Sequence, residues 1–337
     1  MKRAWIIAVA AALAAPAAAN DSVATTAAGG LELTRSAEID MVSEDLFVSA
    51  DEVRVRYVFR NRAPRDVRTI VAFPMPDRHL SAQRVGDVAF PEGFETRVDG
   101  APVPMRLEHK AMLDGTDHTA LLDSLGIPRS DVPDALGRYI NQRLDALPEA
   151  DKARLIALGL AEVDEYDEGR GIERHLIPLW IVKQTWHWEQ LFPAGRDLVV
   201  EHRYKPGVGG TVITSLTEPE FRASPAGRRK IAAYCIDSAF LTGLDRMARE
   251  KAPPGGARTR IINEQWIGYI LTTGGNWRAP IGDFRLTVDK GAPENLVSFC
   301  GEGVRKVGPT RFEMRQTNWR PNRDLVVLIL IPHWIEE

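Results

Sequence analysis

The sequence predicts a mainly β protein with helical insertions, an α+β chain of antiparallel β-sandwich modules plus a helical hairpin. Three observations carry that reading. Apolar residues alternate with period two toward both ends of the chain, an Asp-Gly pair sits between two such runs, and the spacing turns helical in between. With 337 residues the chain has the length of about two domains and can bury its cores without dense cross-linking.

Residues 1–19 are expected to be a secretory signal. Lys2 and Arg3 supply a positive start, residues 4–15 an apolar run, and Pro16 with Ala17-Ala18-Ala19 the small-residue cleavage pattern. Asn20 is then the mature start, and the expected location is periplasmic or secreted. The full chain has 43 basic and 46 acidic residues, a net charge of −3; without Lys2 and Arg3 it has 41 against 46, or −5. No basic excess is available to neutralise a phosphate backbone, so nucleic acid is not an expected partner. The longest later apolar run, 325–331, has the length of a buried strand and falls short of the roughly 18 residues of a membrane span.

Residues 20–118 form the predicted N-terminal sandwich region. Val53, Val55, Tyr57 and Phe59 alternate with Arg54, Arg56, Val58 and Arg60, a half-buried strand. Residues 61–66 turn, and 67–73 return until Pro74 and Pro76 stop them. Phe94, Thr96 and Val98 lead into Asp99-Gly100, and Val103, Met105 and Leu107 lead out, a hairpin. Residues 119–170 are the helical hairpin insertion. Leu136, Ile140, Leu144 and Leu147 share one face of a helix starting near Ser130 or Asp131, and Pro148 opens a second helix that ends near Gly159. Residues 171–216 return to strands and complete the first domain, 217–257 are a helical segment and linker, and 258–337 are a C-terminal β region.

Several segments together resemble one bacterial exported family, domain of unknown function 4424. They are Asn20-Asp21-Ser22, Gly29-Gly30-Leu31, Ser43-Glu44-Asp45-Leu46, Val71-Ala72-Phe73-Pro74-Met75-Pro76, Phe192-Pro193-Ala194-Gly195 and Tyr204-Lys205-Pro206-Gly207-Val208-Gly209-Gly210. Asn276-Trp277 with Pro280-Ile281, and Ser298-Phe299-Cys300-Gly301, complete the set. The resemblance spans the mature chain and implies export and a β-rich fold, with no activity and no catalytic residues to carry over. A looser similarity links residues 57–76 to the sandwich module that precedes von Willebrand A domains.

Cys235 and Cys300 are the two cysteines. In an oxidising compartment they are most simply a disulfide, with two free buried thiols as the alternative. No two of the seven histidines stand at i, i+2 or i, i+4, so no metal site is expected, and no cofactor. His187 with Glu189, and His109 with Asp114, Asp117 and His118, read as polar surface. The acidic run from Glu162 to Glu168 fails the register of a calcium loop and reads as a solvated face or loop. Gly207-Val208-Gly209-Gly210-Thr211 lacks the ending of a phosphate cradle and reads as a turn. No nucleophile motif stands in a supportive context.

Trp180, Trp186 and Trp188 have equal parity and share one face of a continuous strand. They are the candidate ligand-binding residues. Exposed, the ladder would stack on sugar rings or apolar ligands; buried, the favoured reading, it is aromatic core. The function expected is a non-catalytic envelope protein that binds a glycan or protein partner through its sandwich surfaces. The alternative is a periplasmic hydrolase or glycan-processing enzyme using carboxylates brought together by folding.

Overall fold

The computed structural model describes residues 20–27, 30–80, 91–129, 140–167, 169, 171–250 and 258–336. The leader at 1–19, Gly29, the predicted helix start at 130–131 with Leu136, and the linker at 252–256 lie outside the described residues.

Alternation in the sequence becomes a sheet with one wet and one dry face. Val53, Val55, Tyr57 and Phe59 of the Val53–Asn61 strand are buried while Arg54 and Arg56 are exposed. That strand lies between Ile39–Val48 and Asp197–Lys205 in an eight-stranded sheet. Glu92–Val98 and Ala101–Pro102 close one edge through the predicted hairpin. Asp99 and Gly100 both have positive φ, 48° and 81°, the backbone that a tight two-residue turn requires. At the other side Ile281–Asp289 pairs in parallel with Ile39–Val48 and antiparallel with Arg311–Trp319.

Two further sheets pack on this one. The first contains Arg106–Leu113, Ile181–Phe192, Val67–Pro74, Ser22–Ala27 and Gly30–Thr34, with Thr116–Asp117 and Arg78–His79 alongside. The second contains Gly209–Thr211, Arg258–Tyr269, Leu325–Glu336 and Leu296–Ser298. The largest core takes Leu46, Phe59, Val200 and Phe284 from the eight-stranded sheet, Phe73 and Trp188 from the first partner sheet, and Ile267 and Val327 from the second. It is the sandwich that the alternating rows require.

The unbroken apolar run in Leu325–Glu336 has a direct cause. Val327 and Ile329 face the large core, whereas Leu328 and Leu330 face a separate cluster beneath the helices Pro219–Ala223, Pro225–Ala233 and Ser238–Ala248. A strand covered on both faces has no wet positions to alternate with.

The helical insertion contains Thr119–Ser124, Ile140–Asp145 and Glu149–Ala157. Ile140 and Leu144 are buried as predicted, in a cluster with Leu122, Leu155, Leu176 and Trp180. Pro148 caps the last helix rather than opening it, and Gly159 follows with φ 70°. The acidic run is a solvated strand face rather than a loop: Ala161–Asp167 pairs antiparallel with Ile172–Pro178 and leaves Glu165 and Asp167 exposed. Cross-strand pairing of Glu165 with Arg174 at 2.8 Å offsets part of its charge.

Cys235 and Cys300 form a disulfide across 65 residues. It joins the end of the Pro225–Ala233 helix to the segment that follows Leu296–Ser298.

Candidate functional site

Trp186 and Trp188 lie at equal parity in the Ile181–Phe192 strand and Trp180 just before it, and the core they meet changes along the way. Trp180 precedes Ile181–Phe192, is 0% exposed and packs with Val182 in the helical cluster; its indole N–H donates to the Arg129 carbonyl at 3.0 Å. Trp188 is 3% exposed in the large core and donates to Gln190 Oε1 at 2.9 Å. Trp186 is only partly buried. Its ring stacks on Phe94, with centroids 5.1 Å apart and planes within 5°.

A cavity of about 420 Å³ opens at this stack, lined by Phe94, Thr96, Arg97, Met105 and Trp186 among others. Phe94 and Thr96 come from the eight-stranded sheet and Trp186 from its partner, so the cavity lies where the sandwich parts. Its volume is within the ordinary range for a small-ligand pocket.

Thr96 connects this cavity to a buried polar cluster. Its hydroxyl is 2.8 Å from His202 Nδ1, and His202 Nε2 is 3.1 Å from Asp21 Oδ1. With the threonine hydroxyl donating to Nδ1, the Nε2–H donates to the carboxylate, and both imidazole nitrogens are satisfied. Phe73, Phe94, Trp188 and Tyr57 surround the imidazole, with centroids between 4.9 and 5.9 Å. Asn20 Nδ2 donates to Glu44 Oε2 at 2.9 Å, and the Tyr57 and Tyr269 hydroxyls share a hydrogen bond of 2.8 Å. Burial pushes the Asp21 carboxyl up, against the opposing pull of His202. It pushes Glu44 up to about 8; the Asn20 hydrogen bond works the other way and the Asp21 charge adds to the rise.

The apparatus that holds the first residues is specific. Thr273 Oγ1 donates to the Asn20 carbonyl at 2.7 Å, the Trp277 indole to the Asp21 carbonyl at 2.7 Å, and Asn276 Nδ2 to Ser22 Oγ at 3.0 Å. All three donors come from the 272–277 turn.

Glu44, Thr96 and His202 belong to no motif, yet Glu44 and His202 carry a signal in the sequence. Glu44 has the parity of Leu46 and Val48, and His202 that of Val200 and Tyr204. A polar residue on the dry parity of a strand must find a buried partner. Of the histidines read as polar surface, His109 meets Gln184 at 2.7 Å, and His187 is partly buried, which pushes its pKa down.

The family model described as domain of unknown function (DUF4424) matches residues 19–328 of the chain. Among solved structures, a candidate nutrient-binding protein of Legionella pneumophila is similar at 13% identity, covering 93% of this chain and 70% of that one with a TM-score of 0.43. None of the curated proteins matches.

Proposed function

This chain belongs to the family described as domain of unknown function DUF4424, and from that premise we propose that it is an exported, non-catalytic binding protein of the cell envelope. Its ligand is a glycan fragment that seats one sugar ring on Trp186. The observation that carries this reading is the cavity at the Phe94–Trp186 stack. A flat aromatic face suits the C–H face of a pyranose, while the Arg97 and Glu95 side chains at the same cavity can bond ring hydroxyls at its edge. Trp180 and Trp188 lie in the cores, which supports Trp186 as the member of the ladder that meets the ligand. The leader-like segment and the disulfide both accord with an oxidising compartment outside the cytosol.

Titration of the natively exported protein with defined hexose and N-acetylhexosamine oligomers, followed by tryptophan fluorescence, tests this reading. The expected result is saturable quenching that Trp186→Ala weakens by at least about tenfold, the effect of losing one stacked ring. Equal binding by that variant, or none by the parent protein, would overturn it.

The hydrolytic alternative has one observation in its favour, the Asp21–His202–Thr96 chain that ends at the cavity. Its two convergent carboxylates, Asp21 and Glu44, are 0% and 1% exposed and have no contact with solvent. Glycan turnover that Thr96→Val removes would favour the hydrolase instead.

A further inference from the structure

The residues at the expected mature start are enclosed in the core. Asn20, Asp21 and Ser22 are all 0% exposed, and three donors from the 272–277 turn clamp them. The clamp is close: a Cβ on Gly274 would stand 2.9 Å from Asn20 Nδ2. Chain ends normally lie at the surface, so burial of this kind calls for a reason.

Charge supplies one. Two carboxyl groups, Asp21 and Glu44, are sealed together in this cluster. Asp21 Oδ1 has His202, while Asp21 Oδ2, Glu44 Oε1 and Asn20 Oδ1 have no hydrogen-bond partner among the described residues. The other titratable groups facing Glu44 are the Tyr57 and Tyr269 hydroxyls, bonded to each other. His202 serves Asp21, so among the described residues it is Glu44 that lacks a cation, and these three oxygens lack donors. An α-ammonium at Asn20 has both: one positive charge and three N–H groups, on the same residue whose amide already reaches Glu44.

We infer that leader removal after Ala19 builds a buried ion pair, in which the freed α-ammonium of Asn20 takes the Glu44 carboxylate as its partner and locks the chain start into the core. The inference rests on the export reading above. In the cleavage, catalysed by a leader-removing peptidase, water adds to the Ala19 carbonyl carbon. The C–N bond breaks, Ala19 leaves as a carboxylate, and the Asn20 nitrogen becomes an ammonium by taking up a proton. Before that step the same nitrogen is a neutral amide, and Glu44 has no cation beside it among the described residues. Processing thus completes the core, and the leader-bearing chain lacks one of its internal bonds.

The test uses natively exported, full-length processed protein. Its first residue is identified by mass spectrometry, and its α-amine is labelled with an amine-selective acylating reagent with and without urea. A native, protected ammonium should react at least about tenfold more slowly than the same amine in urea, since it is reached only through opening of the core. Glu44→Gln should restore fast labelling. A second chain, with Gly-Gly inserted between Ala19 and Asn20, moves the ammonium out of the cluster and should melt at a lower temperature. In that chain Glu44→Gln should cost no further stability. Fast native labelling, or Gly-Gly insertion with no loss of stability, overturns the ion pair while leaving export standing. A first residue other than Asn20 overturns the ion pair alone, whereas recovery of the chain with Met1 as its first residue overturns the export reading with it. If Glu44→Gln fails to fold, the labelling of the unaltered protein and the insertion chain still decide the matter.

Discussion

Removal of the Cys235–Cys300 disulfide by a Cys235→Ala, Cys300→Ala double substitution should destabilise one region by a calculable amount. The bond closes a loop of 65 residues. In the chain-entropy model that closure contributes about 4 kcal/mol by restricting the unfolded ensemble. At about 2 °C per kcal/mol for a chain of this size, the melting temperature should fall by roughly 8 °C. The loss should concentrate in the Pro225–Ala233 helix, of which only Gly227 is buried. Besides the disulfide, this region is tied down by the Lys230–Glu264 ion pair and by the hydrogen bond from Ser298 Oγ to the Tyr234 carbonyl. Urea unfolding gives the global change, and limited trypsin digestion reads the local one, because Arg228 and Arg229 are exposed on this helix. The expected pattern is a lower midpoint with rapid cleavage at those residues. An unchanged midpoint would refute the entropy argument, and a lower midpoint without local cleavage would refute the assignment of the loss to this helix.

Other perturbations separate parts of the same structure. Trp180→Ala should cost about 3–5 kcal/mol in urea unfolding, as for a large core side chain, and should leave the Trp186 cavity's ligand response intact once folding is restored at low denaturant. Gly227→Ala should destabilise by about 1–3 kcal/mol, because a Cβ there would stand 1.9 Å from the Phe221 carbonyl oxygen; the urea midpoint should fall without a change in slope. With the Asn20 ammonium displaced by the Gly-Gly insertion, burial holds Glu44 near 8, above its ordinary 4.5. The folded state then binds that proton more tightly than the unfolded state. Its contribution is full below about pH 4.5 and is lost as pH rises toward about 8. Urea midpoints across that range should decline in the insertion chain and not in the authentic one.

Much of the architecture was legible because strand and helix periods are written residue by residue. The Val53–Asn61 strand, the Asp99-Gly100 hairpin and the Ile140–Leu144 helix face each depend on neighbours a few positions away, and the structure carries all three. Pairing of the two cysteines followed from compartment and count. The acidic strand Ala161–Asp167 was less legible: its residues have weak strand preference, and its pairing with Ile172–Pro178 supplies what local preference does not.

The candidate site depends on distances that run across the whole chain. Parity put three tryptophans on one face, but the sequence has no record of which core lies under each, and that alone leaves Trp186 at a cavity while Trp180 and Trp188 are enclosed. Asp21 meets His202 across 181 positions, and Trp277 meets the Asp21 carbonyl across 256. Likewise, Ile281–Asp289 lies parallel to Ile39–Val48 in one sheet. Local periodicity encodes which side of an element is dry. Which other dry surface it meets, and which polar groups are enclosed together when it does, is settled by the packing of distant elements into a common core.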